Sequence, residues 1–363
     1  MNEFQSGARP LPLSHASDEP RPESRTLTSA PARLADLDRA KGLAIFLVVL
    51  GHLSRVATPG NEWYMALKDA LYQFHMPFFM CLSGVTMYLS YKPVSGAGAY
   101  LRYVRARFLR LMPAFFAFGL LVLLGKELAS NFVPVDNMHA SLASGAWLIL
   151  TRPITSSAGF LWYIYTLFLF YAAMPWFWRL SGARPLYVLA PALVLHFIPL
   201  DKSIADWFMF SQFAEYLLYL AVGFCIARHY TRWVQFIDRH GIAFVAGFLA
   251  LVCGFLLYGE ATALGSKTVL GLSAIPALHA LVRFRQLGRG HWLARLGAYS
   301  FTIYLFNLLC IGLVKGVAVK LLGAGEAWFP LLALAMLASG LLLPIAISRR
   351  FLQRVPWLDR MTR

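Results

Sequence analysis

The stretch RLADLDRAKGLAIFLVVLGHLSR, residues 33–55, decides how this chain is read. Only 13 uncharged residues separate Lys41 from Arg55, fewer than the ~20 that cross a bilayer without strain. Lys41 therefore enters the helix at the headgroup boundary. His52 lies 11 positions further on. At about 100° per residue, three turns bring both side chains onto one face, about 16 Å apart along the axis. A cation at one rim and an imidazole on the same stripe near the other can divide the work on one ligand. The cation holds an anionic head while an extended arm reaches the imidazole.

Outward from this stretch, apolar runs recur at 70–91, 111–126, 158–178, 185–200, 207–227, 241–259, 266–282, 295–314 and 327–348. With 40–57 they make ten candidate helices, and the expected fold is an all-α, polytopic integral membrane protein with about ten transmembrane helices. Composition agrees: 59% of the 363 residues are hydrophobic and only 14% charged. That apolar share is too high for a soluble nucleic-acid binder, despite the net charge of +16. The 28 Phe and 10 Trp exclude a disordered or collagen-like chain, and four Cys exclude a disulfide scaffold. Cys81, Cys225, Cys253 and Cys310 fall singly in separate runs, without metal-ligand spacing.

Charge orients the helices. Strict alternation along the ten runs puts 25 of the 33 Lys and Arg on one side and eight on the other. By the positive-inside rule both termini are cytoplasmic, in a bacterial inner (plasma) membrane. The acids divide evenly, leaving Glu215 within a run, so the cytoplasmic side carries the excess positive charge. Residues 1–33, rich in Pro, Ser and charge, read as a disordered tail. Residues 34–348 form the membrane domain and 349–363 a short basic tail.

Ionisable residues inside apolar runs mark function more often than chance allows. Glu215, in SQFAEYLLYL, is the sole carboxylate well inside a run. His52, His75, His196 and Glu215 share the half of the membrane away from the cytoplasm, which points to a polar cavity there. Imidazole suits general-base work on a sugar hydroxyl, because its pKa lies near working pH and it can return the proton to a leaving thiolate. Glu215 and Asp38 are both candidates to orient it. Ser83, in FFMCLSG, is a possible nucleophile, though Ser-Gly in a membrane helix more often serves close packing.

These residues resemble the acyltransferase-3 family of bacterial membrane acyltransferases, over nearly all of 34–348. The most specific element is a basic residue, ten positions and a histidine, here Lys41-GLAIFLVVLG-His52. FHMPFFMCLSG (74–84) and RARFLRLMP (105–113) are similar to the family's next blocks, and LWYIYTLFLFY (161–171) and YSFTIYLFN (299–307) to later ones. The last block often ends in His in the family. This chain has Asn307, so no catalytic role is carried to it.

The resemblance implies transfer of an acyl group, usually acetyl, from cytoplasmic acyl-CoA to a carbohydrate or glycolipid. His52 is then catalytic, with Lys41 as its motif partner; Glu215 joins them as a catalytic candidate from its place inside an apolar run, not from the resemblance. Acyl-CoA is a co-substrate, with no permanently bound cofactor and no metal. Arg107 and Arg110 are the family candidates for the CoA phosphates. Arg102 and Arg105 can share that duty, and all four also fit plain topological charge. His75, Trp162 and Tyr163 are candidates for the acceptor pocket. Beyond bilayer, acyl-CoA and acceptor no partner is expected, and no nucleic acid. The competing readings are a transporter exporting a saccharide or lipid-linked intermediate, and a non-catalytic assembly subunit.

Overall fold

A computed structural model describes residues 35–53, 62–130, 141–181, 184–258, 264–284, 291–322 and 329–362. The expected tail 1–33, together with Arg55, Arg285 and Arg289, lies outside them. Among the described residues the chain is helical, with no strand. The helices are α1 (Ala35–Gly51), α2 (Glu62–Ser90), α3 (Ala97–Ser130), α4 (Leu142–Thr151), α5 (Trp162–Leu180), α6 (Leu186–Phe197), α7 (Lys202–Ala205), α8 (Phe210–Arg228), α9 (Tyr230–Tyr258), α10 (Leu264–Arg283), α11 (His291–Ala298), α12 (Ser300–Leu322), α13 (Phe329–Arg350) and α14 (Pro356–Thr362).

Each of the ten apolar runs falls on a helix, yet seven described helices are long and apolar enough to cross a membrane. The shortfall has physical reasons. α1 is only 17 residues long and α6 only 12, about 26 and 18 Å at 1.5 Å per residue. α2 has the length, 29 residues, but polar positions such as Gln73 and His75 interrupt its apolar stretch. Two runs that do lie on qualifying helices are reshaped. The run 295–314 is split by a turn at Tyr299 into α11 and α12. The run 111–126 lies inside a 34-residue helix that also carries the arginines preceding it.

Helix contacts are made by small residues, as expected where lipid removes the hydrophobic drive between helices. α1 packs along α11, and α2 along α8 and α10. A Cβ on Gly42 would stand 1.9 Å from the Leu293 carbonyl oxygen, and one on Gly297 would stand 1.9 Å from that of Asp38. The α2–α8 crossing is built alike, with Gly84 against Leu220 and Gly223 against Cys81, at 2.3 and 2.2 Å. The close-packing reading of Ser83-Gly84 thus describes this crossing. α8 begins after two left-handed residues, Phe208 and Met209 (φ 52° and 63°), a conformation that costs non-glycine residues of order 1–3 kcal/mol each. Met209 is fully buried, so packing holds the bend at the start of α8. All four cysteines are free.

The first turn of α1 is clamped by charge. Arg283 on α10 grips Asp238 on α9 through two hydrogen bonds of 2.7 and 2.6 Å. Its remaining amine donates to Asp36 at 2.7 Å. His279 stands beside the same carboxylate at 3.5 Å, and its Nδ1 accepts the Trp233 indole N–H at 2.9 Å. Three helices are thereby tied at the end of α1 that carries Lys41.

Candidate active site

His52 is the first residue past the last turn of α1, and its backbone N–H still bonds to the Val48 carbonyl at 3.1 Å. The imidazole therefore keeps the helical direction without being locked inside the helix. Its Nδ1 lies 2.9 Å from Oδ1 of Asn307 on α12. The partner of His52 is thus neither Glu215 nor Asp38, the two acids that sequence offered. Asn307, to which no role had been carried, is the residue missed. The signal was one polar residue in an apolar run, but nothing in a linear sequence joins positions 255 apart.

The amide of Asn307 is itself fixed. Its Nδ2 donates to the carbonyls of Ile303 and Tyr304 at 2.9 and 2.7 Å, and the side chain is fully buried. With the NH2 turned to those acceptors, the oxygen is what faces His52. An amide oxygen only accepts, so Nδ1 of the neutral ring is the N–H and Nε2 carries the lone pair.

From Asn307 a line of aromatic contacts leads to the other expected site residues. Tyr304 packs edge-on against Tyr163, ring centres 5.3 Å apart, and Tyr163 against Trp162 at 6.4 Å. Trp162 lies over Tyr216 at 4.9 Å. The Lys267 ammonium sits 5.2 Å from the Tyr216 ring centre and pairs with Glu215. Glu215 is therefore committed to Lys267, and its backbone carbonyl accepts Nδ1–H of His196 at 2.7 Å. Lys267 is a further residue that sequence reasoning missed, 52 positions from its partner.

His75 donates from Nδ1 to the Leu71 carbonyl at 2.6 Å and packs edge-on against Tyr72. It lies within electrostatic range of both His52 and Lys267. Ser83 gives its single proton to the Phe79 carbonyl at 2.8 Å, so the 2.8 Å bond with Tyr163 runs from the phenol to the serine. Among the described residues no imidazole bonds to that hydroxyl, and it is not arranged as a nucleophile.

At the opposite end, Lys41 is half-buried, next to the Gly42 contact with α11. Of the four arginines on α3, Arg102, Arg105 and Arg110 are exposed, whereas Arg107 is half-buried. Its guanidinium is held over Tyr103 at 5.2 Å and Tyr171 at 4.5 Å. Stacking fixes a guanidinium plane while leaving its edge N–H groups for an anion. Among the described residues, no group of three or more His, Cys, Asp and Glu comes together as a metal site.

Comparisons with known proteins bear on the same span. Residues 34–349 match the family described as "Acyltransferase domain". Over 308 residues the chain is 28% identical to nodulation protein NolL of Sinorhizobium fredii (strain NBRC 101917 / NGR234), an alignment covering 83% of this chain and 78% of that protein. No solved structure matches the chain.

Proposed function

The chain belongs to the acyltransferase-3 family and is a multi-pass membrane acyltransferase, and from that premise we propose that it transfers an acyl group, acetyl foremost, from acyl-CoA to a hydroxyl of a cell-surface or exported carbohydrate. The observation that carries this reading is the 2.9 Å contact of His52 Nδ1 with Asn307 Oδ1, which leaves Nε2 as the base, at one end of the helix whose other end bears Lys41.

The steps follow from that placement. Acyl-CoA docks from the cytoplasm at an inner membrane, in the positive field of the 25 cytoplasmic Lys and Arg. Lys41 and Arg107 meet its phosphates, with Arg102, Arg105 and Arg110 adding exposed charge. The thioester carbonyl lies near His52. Nε2 takes the proton of the acceptor hydroxyl as its oxygen bonds to the carbonyl carbon. The C–S bond then breaks, and the imidazolium returns the proton to the CoA thiolate, giving ester and free CoA. Half-buried Trp162 would offer a flat apolar face to a sugar ring, with Tyr163 and Tyr216 packed against it and His75 and the Glu215–Lys267 pair completing the acceptor side. No resident cofactor enters this sequence.

Vesicles containing the purified protein, supplied with acetyl-CoA and a glycan extract, test the reading. Thiol release and mass spectrometry of the glycans are followed together. The wild type is expected to give both CoA and an ester. His52→Gln is expected to give neither, while inserting and melting like the wild type. Saccharide flux without CoA release would establish the transporter instead, and retained turnover in His52→Gln would remove the imidazole from the mechanism.

A further inference from the structure

We infer that Asn307 is the positioning residue of the reaction: its buried amide selects the His52 tautomer that bears the base on Nε2 and holds that nitrogen toward the reacting atoms. The inference rests on the reading of His52 as base and deepens it.

Three hydrogen bonds carry it. Two of them, to the Ile303 and Tyr304 carbonyls, use up the amide N–H groups on the turn that precedes Asn307 on its own helix. They leave one way for the side chain to present itself, oxygen outward. The third joins that oxygen to Nδ1 of His52 at 2.9 Å. In water the two neutral tautomers of imidazole interchange freely. Beside an oriented amide oxygen, the form with its proton on Nε2 would set a lone pair against a lone pair in a buried place, where an unmade bond is most costly. The base is thereby fixed as Nε2 before any substrate arrives. α12 contributes no atom to the reaction, yet it decides which nitrogen reacts.

Asn307 is also neutral. When His52 takes a proton, the amide still accepts from Nδ1–H but adds no countercharge. Among the described residues, the titratable and charged groups that act on His52 are Lys68 and His75, both on α2, and neither supplies a negative charge. A carboxylate at position 307 would accept the same bond and bring the countercharge that is missing, favouring the imidazolium.

Asn307→Asp and Asn307→Leu therefore separate the roles. Asn307→Leu is expected to lower kcat about 10- to 100-fold, on the scale of losing a partner that orients an imidazole. The KM for acetyl-CoA should change less than threefold. Asn307→Asp is expected to recover turnover at alkaline pH, with the acid limb of its kcat/KM profile moved upward from that of the wild type. Melting in detergent is followed for both variants. Should Asn307→Leu fail to fold, the displaced limb in Asn307→Asp alone decides the matter. Wild-type kcat in Asn307→Leu, or an unmoved acid limb in Asn307→Asp, overturns the inference. His52→Gln run alongside distinguishes the failures: turnover there removes the base itself, whereas an inactive His52→Gln beside a fully active Asn307→Leu removes the positioning role alone.

Discussion

The two ends of α1 are held by different physics. At the Lys41 end backbone meets backbone: Gly42 and Gly297 let α1 and α11 approach until a single added carbon on either would lie 1.9 Å from a carbonyl oxygen of the other helix. The Asp36–Arg283–Asp238 clamp secures the same end. At the His52 end the ties are side-chain hydrogen bonds. Asn307 holds the imidazole, and the Tyr64 hydroxyl reaches the carbonyls of Leu50 and Leu53 at 3.1 and 2.9 Å. The nearest neighbour to a Cβ on Gly51 is the side chain of Tyr72 at 3.2 Å. Steric contact tolerates no added atom, whereas a hydrogen bond tolerates any isostere that keeps donor facing acceptor. One end is built to stay in place, and the other to hold one atom at one angle.

The sharpest way to break this contrast is one added carbon at the tight end. Gly42→Ala forces α1 and α11 apart, and the expected loss is about 3 kcal/mol or more, at the upper end of overpacking penalties. Thermal unfolding in detergent measures it, and acyl transfer should fall with the folded fraction. An unchanged melting temperature would mean that the α1–α11 contact is looser than its geometry.

Next in size is the clamp. Arg283→Met leaves the Asp36 carboxylate, whose side chain is 9% exposed, without its guanidinium. Breaking a fully buried pair costs about 3–5 kcal/mol. Arg283 is 21% exposed and Asp238 50%, so solvent screening reduces the expected cost to about 2 kcal/mol. The double variant with Asp36→Asn should recover part of that loss, because the unpaired charge is gone. No recovery would place the clamp's value in packing of the arginine stem.

Much of this architecture was legible from local rules, and what was missed lay between helices. Hydropathy located the helices, because each apolar run reports its own surroundings. The 3.6-residue period predicts one stripe for Lys41 and His52, an expectation that needs only one helix. Partners could not be read in this way. Glu215 stood out as a costly intramembrane acid, but its pairing with Lys267 depends on how α8 meets α10. Asn307 looked like a gap in a family pattern until α12 set it against His52. Of the ten expected spans, seven meet both length and hydropathy among the described residues: α1 and α6 have apolar composition but not length, and α2 has length but an interrupted apolar stretch.

A smaller effect is expected at Ser83. Removing its hydroxyl with Ser83→Ala leaves the buried Tyr163 phenol without the oxygen it donates to, for a loss of about 1 kcal/mol. Acyl transfer should stay within about twofold of wild type once corrected for folded protein, since the serine proton is already given to Phe79. Abolished transfer together with wild-type melting would instead put a covalent acyl-serine on the path, and move the chemistry away from the His52 end.

The smallest effect is expected at the loose end, from Gly51→Ala, the counterpart of Gly42→Ala on the same helix. Both glycines have helical backbones, so alanine favours the helix by roughly 0.5–1 kcal/mol at either. At Gly42 that gain is overwhelmed, because the obstacle is a carbonyl oxygen fixed in another helix. At Gly51 it is Cε2 of Tyr72, at the far end of a side chain that is 42% exposed. Clash and propensity then nearly cancel, and melting should move by less than about 1 kcal/mol equivalent. The displaced ring is the one packed on His75 and reached by the Lys68 ammonium at 5.6 Å. Any change should therefore appear as a modest shift in KM for the acceptor with kcat nearly constant. A loss at Gly51 as large as that at Gly42 would show the two ends of α1 to be equally rigid, and the contrast between them would fail.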